Sequence, residues 1–286
     1  MRPNAFGGAM PFMGEGPISR TVEDAALALS VLAEYDARDP FSIESNEDFV
    51  AATRRSIKSW KIAYSPDLDV YPVAPEVRAV VDKAVEVFAD AGATIERVKL
   101  GLKRNQRELS DAWARLIAPL NITGLEGMKA AGIDLLGRHR DDFPPEYLHW
   151  IDVGQKLSAM DIVRDQVIRT EVFDAIQGVL AAHQILVSPT LAGMPVDNRT
   201  DGNTTGPTHV NGEEVDPLIG WCLTYFTNFS GHPSISVPAG LSGGLPVGMQ
   251  LIGRPQADAD VLAAAASFER LQPWRDHYRI CAERKL

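Results

Sequence analysis

Residues 234–253 read SISVPAGLSGGLPVGMQLIG, and the fold turns on what Gly240–Gly244 does inside them. GLSGG satisfies the G-x-S-x-G pattern of a nucleophile elbow and makes Ser242 a candidate nucleophile. An elbow needs a strand, a sharp turn and then a helix. The strand is there in SISVPAG. The residues after the turn are not helical: Val247, Met249 and Leu251 alternate with Gly248 and Gln250, and Pro246 opposes an immediate helix. Two strands joined by a glycine-rich link predict a hairpin, with Ser242 on its turn.

Upstream, PLIGWCLTYFTNFSG (217–231) is an apolar and aromatic run, helical or extended. Residues 192–216 are turn-rich and polar, with Asn211-Gly212 as a second hairpin signal. ILVSPT (185–190) is a compact apolar strand ended by proline. Residues 103–182 read as mostly helical, interrupted by DDFPPEY (141–147), with a long helix from Ser158 to His183. WKIAYS (60–65) and ATIERVKL (93–100) read as strands. Between them Pro75 opens a helix whose face is Val77, Val80, Val81, Ala84 and Phe88, and Gly92 stops it. At the front, Thr21 caps a helix over 21–36 that buries Val22, Ala25, Ala26, Leu29 and Leu32. At the back, 258–271 is a closing helix with Asp258 as its cap. Strand–helix–strand order predicts an α/β fold with a mixed β-sheet flanked by helices.

The 286 residues carry a net charge of −10 and 45% hydrophobic residues. That is ordinary globular composition, with an acidic surface that repels phosphate backbones and argues against a nucleic-acid partner. Lys103-Arg104 with Arg107 reads as a solvated helix face. Cys222 and Cys281 form no metal or redox pair, and a reducing cytoplasm is expected. No apolar run is long enough for a signal peptide core or a membrane span. The six histidines lack HExxH or HxH spacing, no phosphate cradle is present, and no metal or cofactor is expected. His139 and the adjacent Asp141 and Asp142 read as a solvated charged segment.

Three stretches together resemble the amidase signature family. They are GPISRTVEDAALALSVLAEYDARDP, WKIAYSPDLDVYPVAPEVRAVVDKAVEVFADAGATIERV and FTNFSGHPSISVPAGLSGGLPVGMQLIGRPQADADVLAAAASFE. ILVSPTLAGMP fits the family's D-x-L-[L/V]-x-P-T stretch loosely, with His183-Gln184 where an acidic member is usual. Only about 100–182 is unspecific, a region that varies within the family.

The resemblance implies an amidase-type hydrolase that cleaves C–N bonds through a serine acyl-enzyme, using a Ser–cis-Ser–Lys triad and backbone N–H groups as oxyanion hole. It places that triad ahead of Gly16, where the 15 residues contain neither serine nor lysine. The expectation is therefore one incomplete domain, 1–286, the C-terminal portion of the amidase-signature fold. No catalytic residue is assigned, and the chain is expected to be inactive alone. The alternative is a non-catalytic subunit or fragment that folds with a partner carrying the catalytic half. An uncovered sheet edge would promote self-association or binding of a complementing N-terminal fragment. The expected contribution to chemistry is a pocket for a small-molecule amide, lined by Trp221, Tyr225, Thr227, Asn228 and His232. Residues 217–232 hold no acidic group to grip a substrate ammonium, which favours neutral or apolar amides.

Overall fold

The computed structural model describes residues 14–278. Thr21 accepts a hydrogen bond from the Asp24 amide and caps α1 (Val22–Leu32), a device worth about 1 kcal/mol. Val22, Ala25 and Ala26 are buried as expected, but Leu32 is exposed, with Leu27 and Val31. Among the described residues the helix packs along one side, against α2 (Phe49–Ala52) and the closing helix.

β1 (Lys61–Tyr64) leads through a loop to α3 (Pro75–Val85) and α4 (Val87–Asp90). Gly92 at φ +84° turns the chain into β2 (Thr94–Arg97). The positive φ is what glycine accommodates without a Cβ clash. The middle is helical: α5 (Gln106–Ala130), α6 (Leu135–Arg138), α7 (Pro145–Gly154) and α8 (Ala159–Leu180). Capping boxes open α5 (Asn105 with Glu108) and α8 (Ser158 with Asp161). Arg115 forks onto the buried Asp165 (Nε–Oδ2 2.9 Å, Nη2–Oδ1 2.8 Å) and locks α5 to α8. Arg104, expected on a solvated helix face, lies just ahead of α5, is half-buried and forks onto Glu171 of α8.

β3 (Ile185–Pro189) is buried throughout. Asn211 (φ +50°) and Gly212 (φ +82°) turn β4 (His209–Val210) into β5 (Glu213–Glu214). α9 (Tyr225–Ser230) ends at Gly231, again left-handed. Then come β6 (Ser234–Ser242), β7 (Leu245–Gly253) and α10 (Asp258–Leu271). Asp258 is the first helical residue rather than the cap, a position held by Ala257 without a side-chain bond.

The five-stranded sheet runs β2-β1-β3-β7-β6. β1 is parallel to β2 and β3; β7 is antiparallel to β3 and β6. The hairpin predicted at Ser242 is thus the β6–β7 pair, and no helix follows the serine. β6 ends the sheet, and among the described residues no strand pairs with its outer side. Pro238 and the register irregularity between Pro238 and Gly240 suit an edge position.

Candidate functional site

A cleft of about 870 Å³ runs along β6. One wall is the approach to α1, from Gly14 to Leu29; the other is the end of α9 with the turn into β6. Asp258, Val261 and Leu262 of α10 and Trp274 close its base. Trp274 donates its indole N–H to the Arg20 carbonyl at 3.0 Å, and Glu269 accepts from the Val22 amide at 2.9 Å. These two bonds fix the first wall to the last helix.

The second wall is held from α8. Arg169 Nε donates to the Phe229 carbonyl at 3.0 Å. Eight positions further along α8, on the same helix face, Gln177 Oε1 lies 3.2 Å from His232 Nε2. The His232 ring also packs on Phe173, with centroids 5.2 Å apart. An amide oxygen accepts, so Nε2 carries a hydrogen. Burial pushes its pKa down to about 4, because desolvation disfavours the cation.

Hydroxyls line the strand side. Ser234 donates to Thr227 Oγ1 at 3.2 Å, and Thr227 in turn donates to the Thr224 carbonyl at 2.9 Å. Thr190 and Ser236 share a 2.7 Å hydrogen bond across β7. That bridge needs Gly248, where a Cβ would approach Thr190 Oγ1 to 2.8 Å. On the base, burial raises the pKa of Asp258.

Of the residues expected from sequence, Thr227, Asn228 and His232 line the cleft. Trp221 and Tyr225 do not line it. Trp221 is half-buried and donates to the Pro217 carbonyl at 3.3 Å. Tyr225 is buried against Tyr71, Trp113 and Phe229, at centroid distances of 6.1, 6.5 and 5.3 Å. Sequence reasoning missed Ser234, Ser236 and Asp258. The alternation of β6, which puts 234 and 236 on one face, was the available signal for the serines.

The cleft can hold a neutral polar group by hydrogen bonds. Among the described residues, its serines bond to hydroxyls and a carbonyl rather than to a base. Ser19, Ser234 and Ser236 line it with no lysine among the lining residues. Ser234 and Ser236 commit their hydroxyl bonds to Thr227 and Thr190 rather than to His232.

A family model described as Amidase matches residues 7–262. The chain belongs to the amidase family. A bacterial aryl acylamidase of the amidase signature enzymes is 50% identical, with a TM-score of 0.95. The match covers 100% of this amidase chain and 58% of that one. An acylamidase of Rhodococcus erythropolis is 34% identical over 269 residues, 91% of this chain and 53% of its own length. A glutamyl-tRNA(Gln) amidotransferase subunit of Alkalilimnicola ehrlichii is 29% identical over 276 residues, 91% of this chain and 55% of its own length. The amidase chain thus spans about half the length of the curated relatives it matches. Among the described residues no helix is long and apolar enough to cross a membrane.

Proposed function

We propose that this chain serves the hydrolysis of carboxylic amides, and that it supplies the cleft wall against which a serine acyl-enzyme forms. The observation that carries the reading is the 50% identity and 0.95 TM-score shared with a bacterial aryl acylamidase over the whole chain. Residues 1–286 act as one part of an amidase-signature domain, in a cytoplasmic setting. Thr227, Asn228 and His232 meet the amide. The run 217–232 carries no acidic side chain, which suits a neutral or apolar amide better than an ammonium-bearing substrate.

The nucleophile, the bridging serine and the lysine come from a segment outside these 286 residues, as the resemblance implies. A serine hydroxyl attacks a carbonyl only when a nearby base takes its proton, and the hydroxyls of Ser234 and Ser236 are bonded to Thr227 and Thr190. The test is an acyl-enzyme-forming serine probe, read by mass spectrometry. We expect no covalently labelled serine in the 286-residue chain; a labelled Ser19, Ser234, Ser236 or Ser242 would overturn the reading.

A second reading is a non-catalytic subunit that folds with a partner carrying the catalytic half. The side of β6 left without a strand among the described residues, together with the exposed Leu27, Val31 and Leu32 on α1, favours it. An open strand edge next to apolar surface invites another chain. Self-association of the isolated chain, relieved by the complementing fragment, supports it. A monomer with one sharp cooperative unfolding transition would count against it.

A further inference from the structure

His183 follows α8 at the entrance to β3 and is buried. Both of its ring nitrogens meet acceptors. Nδ1 lies 2.8 Å from the Val179 carbonyl oxygen, and Nε2 lies 3.0 Å from Oε2 of Glu96 on β2. The other Glu96 oxygen faces the Lys61 ammonium at 3.4 Å. A carbonyl cannot donate, and neither can an ionised carboxylate. Neutral imidazole carries a single N–H, so it could satisfy only one of these partners. Imidazolium satisfies both.

We infer that His183 is a proton-operated clasp: its cationic ring ties the end of α8 to the outer strand β2, and loss of its proton releases that strand edge. The inference does not rest on the amidase reading and concerns the sheet end opposite the cleft.

The strand it holds is the outer one of the sheet, with Ile95 half-buried against the core. β2 is four residues long, none of them fully buried, and among the described residues its backbone pairs only with β1. The charged groups around the ring are few. Glu96 on β2 and Lys61 on β1 are the ones in contact through this cluster. The last turn of α8, 177–180, and β3 contain no titratable side chain. The His183 hydrogen bond, with Lys61 as the lesser partner, holds the Glu96 carboxyl below its usual pKa. Glu96 therefore stays an acceptor over the range in which imidazole titrates. A charge-assisted bond is roughly twice as strong as a neutral one. Its loss leaves the Glu96 carboxylate facing a nitrogen lone pair.

The test is long-range ¹H–¹⁵N correlation spectroscopy of the imidazole nitrogens in the full chain, with His183→Gln to assign the signals. Both His183 nitrogens are expected to carry a hydrogen while the clasp is closed. As the ring loses its proton, the amides of residues 95–97 should open about tenfold more often, after correction for base-catalysed exchange. In Glu96→Gln the new amide can donate to a bare Nε2, so the ring should fall to one hydrogen. One bare His183 nitrogen in the unmodified chain with the strand edge still closed would overturn the inference, and so would edge exchange indifferent to the ring's state. If Glu96→Gln does not fold, the unmodified chain decides alone.

Discussion

Ser242 pairs directly with Leu245 across a turn made only of Gly243 and Gly244. Both glycines have positive φ, +57° and +80°, the geometry of a tight hairpin turn whose twist matches the strands. The serine is therefore the last residue of an edge strand. Ser242→Ala should leave stability within about 0.5 kcal/mol of the parent. Gly244→Val places a β-branched side chain in the left-handed region and should cost about 1–2 kcal/mol. Urea unfolding of the two variants measures both.

The Arg115–Asp165 fork joins α5 to α8 with the carboxylate almost fully removed from solvent. Removing one partner strands a buried charge. Arg115→Ala should therefore lower stability by about 3–5 kcal/mol, while the paired replacement Arg115→Met with Asp165→Leu should recover most of it. Chemical denaturation of the three proteins distinguishes a lost charge pair from lost packing.

Trp221 packs so closely over Gly206 that a Cβ there would collide with its indole nitrogen. Gly206→Ala must displace the ring or the loop, and should cost about 1–3 kcal/mol as an overpacked site. Denaturation midpoints give the cost. Increased acrylamide quenching of the Trp221 fluorescence, in a background where the other tryptophans are replaced, reports the displacement.

Much of the fold was legible in the sequence because its signals were local. The Thr21 cap, Pro75 at a helix start, Gly92 at a helix end, Asn211-Gly212 and the alternation after Pro246 each depend on a few neighbouring residues. The misjudged positions depended on neighbours far along the chain. Leu32 fits the helical spacing of a buried face, yet nothing described packs on that side of α1. Asp258 suits a cap by type, but the chain turns one residue earlier, at Ala257. Arg104 looks solvated until α8 brings Glu171 to it from 67 positions away. The cleft was half legible. Thr227, Asn228 and His232 were marked by polar groups ahead of a strand, whereas the Thr190–Ser236 bridge exists only through the β3–β7–β6 register.

His232 sets a pH dependence whose sign follows from burial. Its pKa falls from 6.5 to about 4 on folding. Between those values the unfolded chain binds the extra proton and the folded chain does not. Stability is therefore fully present above about 6.5 and declines as pH falls toward about 4, by roughly 3 kcal/mol at most. His232→Phe should flatten that part of the stability–pH curve, measured by denaturant unfolding across it. An unchanged slope would show that the ring is not buried neutral.

The most direct measurement is hydrolysis of a neutral aryl anilide by the purified 286-residue chain, alone and after co-folding with a polypeptide that carries the serine- and lysine-bearing part of an amidase. The account predicts no turnover from the chain alone and turnover in the co-folded mixture, diminished when Asn228 or Thr227 is replaced by alanine. Sustained turnover by the chain alone, surviving repurification, would contradict it.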